Sequence, residues 1–559
     1  MYGSLGNVNL INNTDIPLEN PNTTILFTQG LAQLYGFNLV ESLRNFKTTT
    51  LLSPNCALCH WGVAMSFAPN INYIIENQTK FNIAANTALV LANSQHQQLS
   101  FKTRWLIKAT SKLIAPANHK DSSNSIYRRA FSNAMCAPHF DDPSDPDIDA
   151  FCASSLMSLS PWNYYQGIES GQIYPLKTYL VPAKMKLLGA VHRGPKTTTK
   201  SPHVFAIHLL IHLLEPTNAP LSYKWQALEP TELLFKGGNT SNNELVPAQG
   251  HLTHMPAHLF LRVGKYNDAV QTSTISTSDN IYYITKCLQP YGHGHNLKMY
   301  VANARMAGRL NDALAKARLA TLPDAGTEIS PNGNITCIDC AGPGSPEVIL
   351  TLLRFGKFAK VLNESLPLNN WGTKLYLPAY NKAAWRYARA AAYWALSNHG
   401  QNKTRLQLGD QEAIQCLVAS KIAYNPHRAM NYTIIFPEQL AAARAAHIDQ
   451  NWTEAIQHLR NVVHADDVNE YLEPPRVWYP PRECLGALLL KVGNATAALK
   501  MFENDLETFV DSGWSLYGAA AAAKILGMKG EWKIFQKKGD IAWNQSDVEF
   551  VSACPELLS

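Results

Sequence analysis

The sequence predicts an all-α protein in which pairs of helices stack into a superhelix with long inserted loops. Three observations support this prediction: a short turn motif recurs along the chain, apolar and small residues near it follow helical spacing, and strand-like alternation is scarce. Units that each leave one face apolar must pack against their neighbours, so repeats of this kind form a superhelix.

The turn motif is a small residue or Gly followed two positions later by an apolar residue and then by Ala. In a tetratricopeptide repeat (TPR) such a motif is the turn between two antiparallel helices, where Gly caps the first helix and Ala permits close helix approach. The interval between the third and fourth copies is the longest, which indicates one degenerate unit inside it. The copies are "GKYNDAV" at 264, "GRLNDAL" at 308, "GKFAKVL" at 356, "QNWTEAI" at 450, "GNATAAL" at 493 and "GEWKIF" at 530.

Helical spacing also appears away from these turns, at 383–396 and 513–527. Residues 35–70 contain one further unit, which we interpret as a second helix, a loop and the next first helix, and this first helix carries Trp61. Segments 195–255 and 320–345 are rich in Pro, Gly, Thr and Asn, which predicts long inserted loops. We divide the chain into an N-terminal helical region with at least one TPR-like unit (1–200), histidine-rich helices and loops with TPR-like units (201–345) and C-terminal repeats (346–559). We expect these parts to form one continuous superhelix.

The bulk composition argues against several classes of protein. The chain has 559 residues, of which 46% are hydrophobic and 16% charged, as in a folded soluble protein. No apolar run approaches the roughly twenty residues that cross a bilayer. The net charge of +6 is small for this length, and no Lys/Arg cluster suits a phosphate backbone. We therefore expect neither a membrane span nor a nucleic-acid partner.

Sequons for N-linked glycosylation indicate a secreted protein whose partners include N-linked glycans. They occur about twice as often as the residue frequencies would give by chance. The ten cysteines are even in number, as in a disulfide-bonded secreted protein. The first residues lack the features of a signal peptide, so a secreted chain is expected here in its mature form. The sequons start at Asn12, Asn22, Asn77, Asn239, Asn334, Asn363, Asn402, Asn431, Asn451, Asn494 and Asn544.

Eight of the eighteen histidines fall between positions 203 and 295, which is the basis for predicting a metal site. In "SPHVFAIHLLIHLLE", His208, His212 and Glu215 share one face of a helix, and His203 precedes them. A pair of histidines one turn apart on a helix can chelate an ion about 2 Å from each ring nitrogen. The other candidate ligands are His251, His254, His258, His293 and His295.

We expect His251 and His254 to lie on the loop before a helix that has Pro256 in its first turn, and His293 and His295 to lie just ahead of another helix. Imidazole-rich sites with little carboxylate suit copper or zinc. The set could hold one ion or two, as in coupled dicopper centres. The alternative is a polar histidine core that fixes the long loops without any metal.

Two other motifs have structural explanations. "CALCH" at 56–60 has the form of a c-type haem attachment motif, but the following "WGVAM" continues a repeat helix that leaves no room for haem. We therefore expect a disulfide or two buried thiols at Cys56 and Cys59, and a local or loop-clamping disulfide at Cys337 and Cys340. The aspartates of "FDDPSDPDIDAF" at 140–151 could suit calcium, but they fit better as the cap and first turn of a helix.

Taken together, "CALCHWGVAMSFAPNIN", "HVFAIHLLIHLLE", "GHLTHMPAHLFLRVGKYNDAV", "YGHGHNLKMYVANARMAGR" and "LEPPRVWYPPRECLGALLLKVGNATAAL" resemble a family of large TPR proteins known mainly from bacterial genomes. The similarity spans nearly the whole chain, and the H-x-x-H-M-P-x-H segment is specific. The resemblance implies the fold and candidate residues but no reaction. The family's H-x-x-x-x-H-x-x-x-H segment is matched by His203, His208 and His212, and its H-x-x-H-M-P-x-H segment by His251, His254 and His258. Its "H-N-L" segment is matched by His295.

Relatives in that family often have Tyr at the position of His60 and lack Cys at the position of Cys59, which further argues against haem. The dense sequons resemble an adaptation to secretion in a eukaryote.

From these features we expect a secreted, glycosylated TPR-like protein with a histidine-rich metal site. Copper fits this site best and zinc is the alternative. If the protein is an enzyme, oxidation by dioxygen or peroxide is the expected reaction, with Glu215 as a ligand or as a base beside the ligands. The competing hypothesis is a structural subunit of a glycan-coated extracellular assembly or filament, with self-assembly as its main interaction.

Overall fold

The computed structural model describes most of the chain and shows an all-α, TPR-like helical-repeat fold, which confirms the predicted fold class. Among the described residues, no helix combines the length and apolar character that a membrane span requires. The described residues are 15–16, 20–137, 145–192, 202–236, 249–322, 325, 328–333, 335–336, 341–342, 344–367, 377–425, 430–475 and 477–558.

The helices follow one another in antiparallel pairs. The first eight are α1 (Pro21–Tyr35), α2 (Leu39–Leu52), α3 (Ala57–Met65), α4 (Gln78–Ser94), α5 (Phe101–Thr110), α6 (Ile126–Met135), α7 (Pro146–Met157) and α8 (Val181–Val191). The next six are α9 (Val204–Leu214), α10 (Leu221–Phe235), α11 (Gly250–Arg262), α12 (Tyr266–Thr285), α13 (His293–Met306) and α14 (Leu310–Leu319).

The C-terminal helices are α15 (Glu347–Arg354), α16 (Phe358–Asn363), α17 (Leu377–Ala395), α18 (Lys403–Ser420), α19 (Tyr432–Arg444), α20 (Trp452–Asp467), α21 (Pro481–Lys491), α22 (Ala495–Thr508), α23 (Gly513–Ile525), α24 (Glu531–Ala542) and α25 (Pro555–Leu558). Short 3₁₀ turns cover Ser111–Leu113 and Thr178–Leu180, and a π-turn covers Ala445–Asp449. Two antiparallel hairpins pair β1 (Glu328–Ile329) with β2 (Ile335–Thr336) and β3 (Tyr424–Asn425) with β4 (Met430–Asn431).

The recurring motif lies at the turn between paired helices, as predicted. Gly264 and Gly308 adopt the left-handed conformation, with φ of 77° and 70°, between α11 and α12 and between α13 and α14. A side chain at Gly264 would also meet the Val510 carbonyl oxygen at 2.6 Å, so both conformation and space favour glycine there. In the last copy the left-handed residue is Gly527 and not Gly530. Helices α17 and α18 lie between the motif copies at 356 and 450 and form the degenerate unit expected there.

The prediction of a long loop over 195–255 is wrong for much of that segment. Helix α10 occupies Leu221–Phe235, and α11 begins at Gly250, six residues before Pro256. The buried positions Ala227, Thr231 and Leu234 follow helical spacing, and Pro230 is tolerated inside α10. Tertiary packing of this face overrides the local preference of Pro and Thr. Segment 320–345 contains the first hairpin in its described part.

Four of the predicted glycosylation sites also serve as helix N-caps. The side-chain oxygens of Asn77, Asn402, Asn451 and Asn494 each accept a hydrogen bond from a backbone N–H in the first turn of the next helix. This structural role gives a second reason for Asn at these four positions. Asn22, Asn363, Asn402, Asn451, Asn494 and Asn544 are exposed and Asn77 is half-buried, whereas Asn12, Asn239, Asn334 and the side chain of Asn431 lie outside the described residues.

Three disulfides link described cysteines. Cys56 and Cys59 are bonded at the start of α3, as one of the two predicted alternatives. The pairs Cys136–Cys152 and Cys484–Cys554 were not predicted, because each joins residues distant in the sequence. Cys337 and Cys340 lie outside the described residues.

The helices bury one large apolar cluster between Ile16 and Tyr291 and another between Val301 and Leu557. Helix α9 is buried along its whole length, and nearly all of α11 is buried too. These two helices therefore place their polar side chains inside the protein. The division at 200 and 345 remains a prediction.

The long and short disulfides should contribute unequally to stability. Chain entropy predicts about 4 kcal/mol for a loop of the size closed by Cys484–Cys554 and about 2 kcal/mol for the short Cys56–Cys59 loop. We expect the double variant Cys484→Ser with Cys554→Ser to lower the free energy of unfolding more than Cys56→Ser with Cys59→Ser. Urea unfolding of both variants measures the difference, and an equal or reversed loss would contradict the loop-entropy explanation.

Candidate metal centre

Three buried helices bring six histidines together. Helix α9 carries His208 and His212 one turn apart, α11 carries His251, His254 and His258, and α13 carries His295 in its first turn. The three positions on α11 share one face because they are spaced by three and four residues. Since α11 packs against both α9 and α13, this face meets the histidines of both neighbours.

The first group is His208, His212 and His251, the α9 group. One ring nitrogen from each lies within 4.8 Å of one from every other. The Nε2 atoms of His208 and His251 are 3.1 Å apart. Two nitrogens bound to one ion in a tetrahedral site lie about 3.3 Å apart, so this separation suits a shared ion.

His208 has a defined orientation because its Nδ1 lies 2.6 Å from the backbone carbonyl oxygen of Tyr35. A carbonyl oxygen only accepts, so Nδ1 carries the hydrogen and the neutral ring has a free lone pair on Nε2. An outer hydrogen bond of this kind fixes the tautomer of many metal-bound histidines. The inner nitrogen of His208 therefore faces His251 in the form that binds a metal.

The second group is His254, His258 and His295, the α13 group, whose ligand atoms also lie within 4.8 Å of one another. The Nε2 atom of His258 is 2.6 Å from that of His254 and 3.2 Å from that of His295. All three rings are buried. The two groups are adjacent, since the rings of His212 and His258 are 5.9 Å apart between centroids.

Two carboxylates hold the outer nitrogen of His258. Its Nδ1 lies 2.6 Å from Glu473 and 3.4 Å from Glu215, and Nδ1 of His212 lies 3.7 Å from Glu215. This carboxylate–histidine arrangement orients metal ligands in many proteins. Glu215 was predicted from its place on α9, whereas Glu473 was missed. It lies between α20 and α21, far along the chain, and its only signal was the "LEPP" segment within the family resemblance.

These three residues also form a group of their own, because ligand atoms of His212, Glu215 and Glu473 lie within 4.8 Å of one another. A single ion bound by His212 and both carboxylates is thus a second arrangement that the geometry permits. Oxygen ligands would make it a better site for zinc than a site of imidazoles alone.

Burial keeps most of the histidines uncharged. Burial lowers the pKa of His208, His251 and His254 well below its usual value, with neighbouring histidines adding to the effect, and lowers that of His212 to about 4. Neutral imidazole is the form that binds metals. His258 differs: burial lowers its pKa, but Glu473 and Glu215 outweigh burial and raise it to about 10.

The two carboxyl groups are also affected unequally. Burial and then the charge of Glu215 raise the pKa of Glu473 to about 8, whereas His258 holds the pKa of Glu215 well below its usual value despite burial. The pair therefore carries a shared negative charge beside His258 near neutral pH.

Aromatic rings enclose the α9 group. The ring of Phe37 lies 4.4 Å from that of His208, the ring of Trp162 lies 5.0 Å from that of His212, and the ring of Tyr291 lies 4.9 Å from that of His251, measured between centroids. Phe37 and Trp162 have positive φ, 58° and 64°, which is uncommon for large side chains. Phe37 takes this conformation directly after α1, where the Asn38 N–H donates a hydrogen bond to the Gln33 carbonyl oxygen and closes the helix end.

Two of the predicted ligands lie outside both groups. His203 caps α9, where its Nδ1 accepts a hydrogen bond from the Ala206 N–H, and its Nε2 lies 2.8 Å from Asp147. Asp147 also pairs with Lys102, so His203 belongs to a separate ion network. His293 is the first residue of α13 and is half-buried away from the clustered rings.

The expected loop positions of His251 and His254 are wrong, because both residues lie inside α11. The expected positions of His293 and His295 ahead of a helix are also wrong, because both lie inside α13. The proline rule placed the start of α11 too late: Pro256 sits within the helix and is buried. Asp145 caps α7 as predicted, by accepting hydrogen bonds from the N–H groups of Asp147 and Ile148. The two sulfurs of "CALCH" are bonded to each other.

No family model and no curated protein matches the sequence. Solved structures that align over most of the chain include the TPR domain of P58(IPK), at 10% identity and a TM-score of 0.21 over 91% of this chain and 99% of that chain. The complex Cut9–Hcn1 aligns at 10% identity and a TM-score of 0.27 over 95% of this chain and 96% of that chain. The human IFIT1 dimer with m7Gppp-AAAA aligns at 11% identity and a TM-score of 0.30 over 94% of this chain and 95% of that chain. Yeast Tom70 aligns at 10% identity and a TM-score of 0.24 over 93% of this chain and 99% of that chain. At such scores no property of those proteins transfers to this chain.

Proposed function

We propose that this protein binds two copper ions, one in the α9 group and one in the α13 group, and uses them in an oxidation by dioxygen or peroxide. The observation that carries the proposal is the pair of adjacent groups, each with three buried imidazoles. Imidazole ligands without carboxylate or thiolate favour copper, which also binds more tightly than zinc to a given set of nitrogen ligands. Zinc at His212, Glu215 and Glu473 is the alternative.

The outer partners of the rings support a metal-binding role over a polar core that only braces loops. The Tyr35 carbonyl oxygen and Glu473 each fix one outer nitrogen, so that the inner nitrogens of His208 and His258 face other imidazoles. Among the described residues, Nε2 of buried His212 has no hydrogen-bond partner. Leaving buried polar atoms unpaired costs free energy, which a bound ion would offset.

We further propose that the protein is secreted and carries N-linked glycans. Three disulfides and six exposed sequon asparagines support this proposal, because disulfides persist in oxidising compartments. Mass spectrometry of the protein from its natural source before and after treatment with a glycosidase tests it.

Metal content tests the centre directly. We expect protein that is depleted of metal and then dialysed against copper to bind two copper ions per chain by elemental mass spectrometry. His208→Ala and His258→Ala should each lower this to one, because each variant removes a ligand from one group. Two histidines outside the groups supply matched controls, and His203→Gln and His293→Gln should retain both ions.

Several outcomes would contradict this assignment. Absence of stoichiometric copper in the unmodified chain would exclude the copper centre. Equal loss of copper in the His203→Gln control would show that the variants act through folding. A single tightly bound zinc that is lost in Glu473→Gln would favour the carboxylate site instead.

Dioxygen uptake tests the proposed chemistry. A pair of copper(I) ions can supply two electrons, one from each ion, to one dioxygen molecule. We expect protein loaded with copper(I) under anaerobic conditions to take up one dioxygen per pair of ions, measured with an oxygen electrode. The His254→Ala protein, with its α13 group incomplete, should take up dioxygen much more slowly, and equal rates would refute cooperation between the groups.

A second candidate function is self-association of a structural subunit. It is favoured by an apolar stripe on α18, where Ile414, Leu417 and Val418 lie on one exposed face. Such a stripe on a TPR-like fold is suited to a second copy of the chain.

Size measurement tests this second function. If the chain associates through α18, light scattering should show oligomers that Ile414→Glu with Val418→Glu converts to monomers. The comparably exposed Ile83 and Val90 on α4 provide the control pair, and Ile83→Glu with Val90→Glu should leave the oligomers intact. A chain that is monomeric at all concentrations would exclude this function.

A further inference from the structure

A buried arginine beside the metal centre makes no hydrogen bond and no close ion pair among the described residues. Arg262 is the last residue of α11, one turn beyond His258, and only 1% of its surface is exposed. None of its three guanidinium nitrogens has a hydrogen-bond partner among the described residues. Buried charges in proteins are normally paired and hydrogen-bonded, because removing an ion from water is costly.

The guanidinium is nevertheless held in place. Its central carbon lies 5.4 Å from the ring centroid of Tyr471 and 5.6 Å from that of Phe509. Contacts with aromatic rings fix the plane of an arginine side chain while leaving its N–H donors available. The same residues, Arg262, Tyr471 and Phe509, line a cleft of about 50 Å³ between α11, α20 and α22.

A second unpaired donor lines this cleft. The buried hydroxyl of Thr217 also has no hydrogen-bond partner among the described residues. By contrast, the other arginine of the cleft, Arg482, is paired with Asp467 at 2.7 Å. The cleft therefore presents a guanidinium and a hydroxyl whose hydrogen-bonding capacity is unused.

We propose that this cleft binds the carboxylate group of a small organic acid, with Arg262 as the charged contact and Thr217 as a second donor. A carboxylate only accepts hydrogen bonds and matches the planar donor fork of arginine. A more highly charged phosphate fits less well, because Asp466, Asp467 and Glu470 also line the cleft. Burial and then the charge of Asp467 raise the pKa of Asp466 to about 7, so this side chain offers only a partial counter-charge near neutral pH.

The cleft and the metal centre are adjacent, because Tyr471 lines the cleft and contacts Glu473 of the centre. Tyr471 contacts Arg262 with its ring, and its hydroxyl donates a hydrogen bond to Glu473 at 3.1 Å. A bound carboxylate would thus lie next to the segment that supports His258. The binding site itself does not depend on whether the centre holds metal.

Calorimetric titration of the full-length protein tests the site with acetate, benzoate, inorganic phosphate and the neutral benzamide as probes. We expect saturable binding of acetate and benzoate, at least tenfold weaker binding of benzamide, and at least a tenfold loss of benzoate affinity in Arg262→Met. Thr217→Val should weaken benzoate binding several-fold. Equal affinity for benzoate and benzamide, preference for phosphate, unchanged binding in Arg262→Met, or absence of saturable carboxylate binding would each overturn the proposal.

Thermal unfolding without ligand separates a binding role from a structural one. Arg354 is a matched control, because it is equally buried and also lies over aromatic rings but pairs with Glu483. Arg354→Met should lower the melting temperature strongly, since it removes the buried ion pair with Glu483 and leaves that carboxyl group with only its hydrogen bond from Ser512. Arg262→Met should leave the melting temperature unchanged or raise it. If Arg262→Met lowered the melting temperature as much as Arg354→Met does, the proposal would be overturned.

Copper content distinguishes failure here from failure of the proposed function. Arg262→Met should bind as much copper as the unmodified chain, while His258→Ala should still bind benzoate. Loss of copper in Arg262→Met would assign Arg262 to the metal centre and overturn a separate carboxylate site.

Discussion

The arrangement of this protein depends on the burial of six imidazoles where α9, α11 and α13 meet. Each ring has two nitrogens that need partners once water is removed. Carbonyl and carboxylate groups satisfy outer nitrogens such as Nδ1 of His208 and His258. The inner nitrogens are left facing one another at separations of 2.6 to 3.2 Å. Two such groups of buried imidazoles in a shielded interior are the physical basis for proposing a pair of metal ions.

The repeat fold makes this convergence possible. Helices α11 and α13 are the first helices of consecutive units, so their histidines occupy neighbouring positions on the inner side of the stack. Left-handed residues at the turns, such as Gly264 and Gly308, let each second helix return against the first. The segment between α20 and α21 then brings Glu473 to His258, which links the C-terminal repeats to the helices that carry the histidines.

Charge is distributed unevenly around this centre. His258 and the pair Glu215 and Glu473 form a compact buried network, whereas Arg262, one turn further along α11, has no such partner among the described residues. Tyr471 contacts both sides through its hydroxyl and its ring. A buried cation without a close ion pair costs stability, and the proposed carboxylate ligand would supply the missing contact. The metal centre and the cleft are thus two adjacent buried polar regions, and Tyr471 contacts both.

The sequence by itself determined the repeat architecture, the helical face shared by His208 and His212, and the cap of α7. These features depend on interactions within a few residues, where turn chemistry and helix periodicity act. Only the tertiary structure decided that His203 and His293 stay apart from the clustered rings, that Glu473 joins them, that Pro256 lies inside α11, and that Cys484 bonds to Cys554. Those outcomes depend on which helix faces meet, and such contacts between distant residues are set by packing of the whole chain.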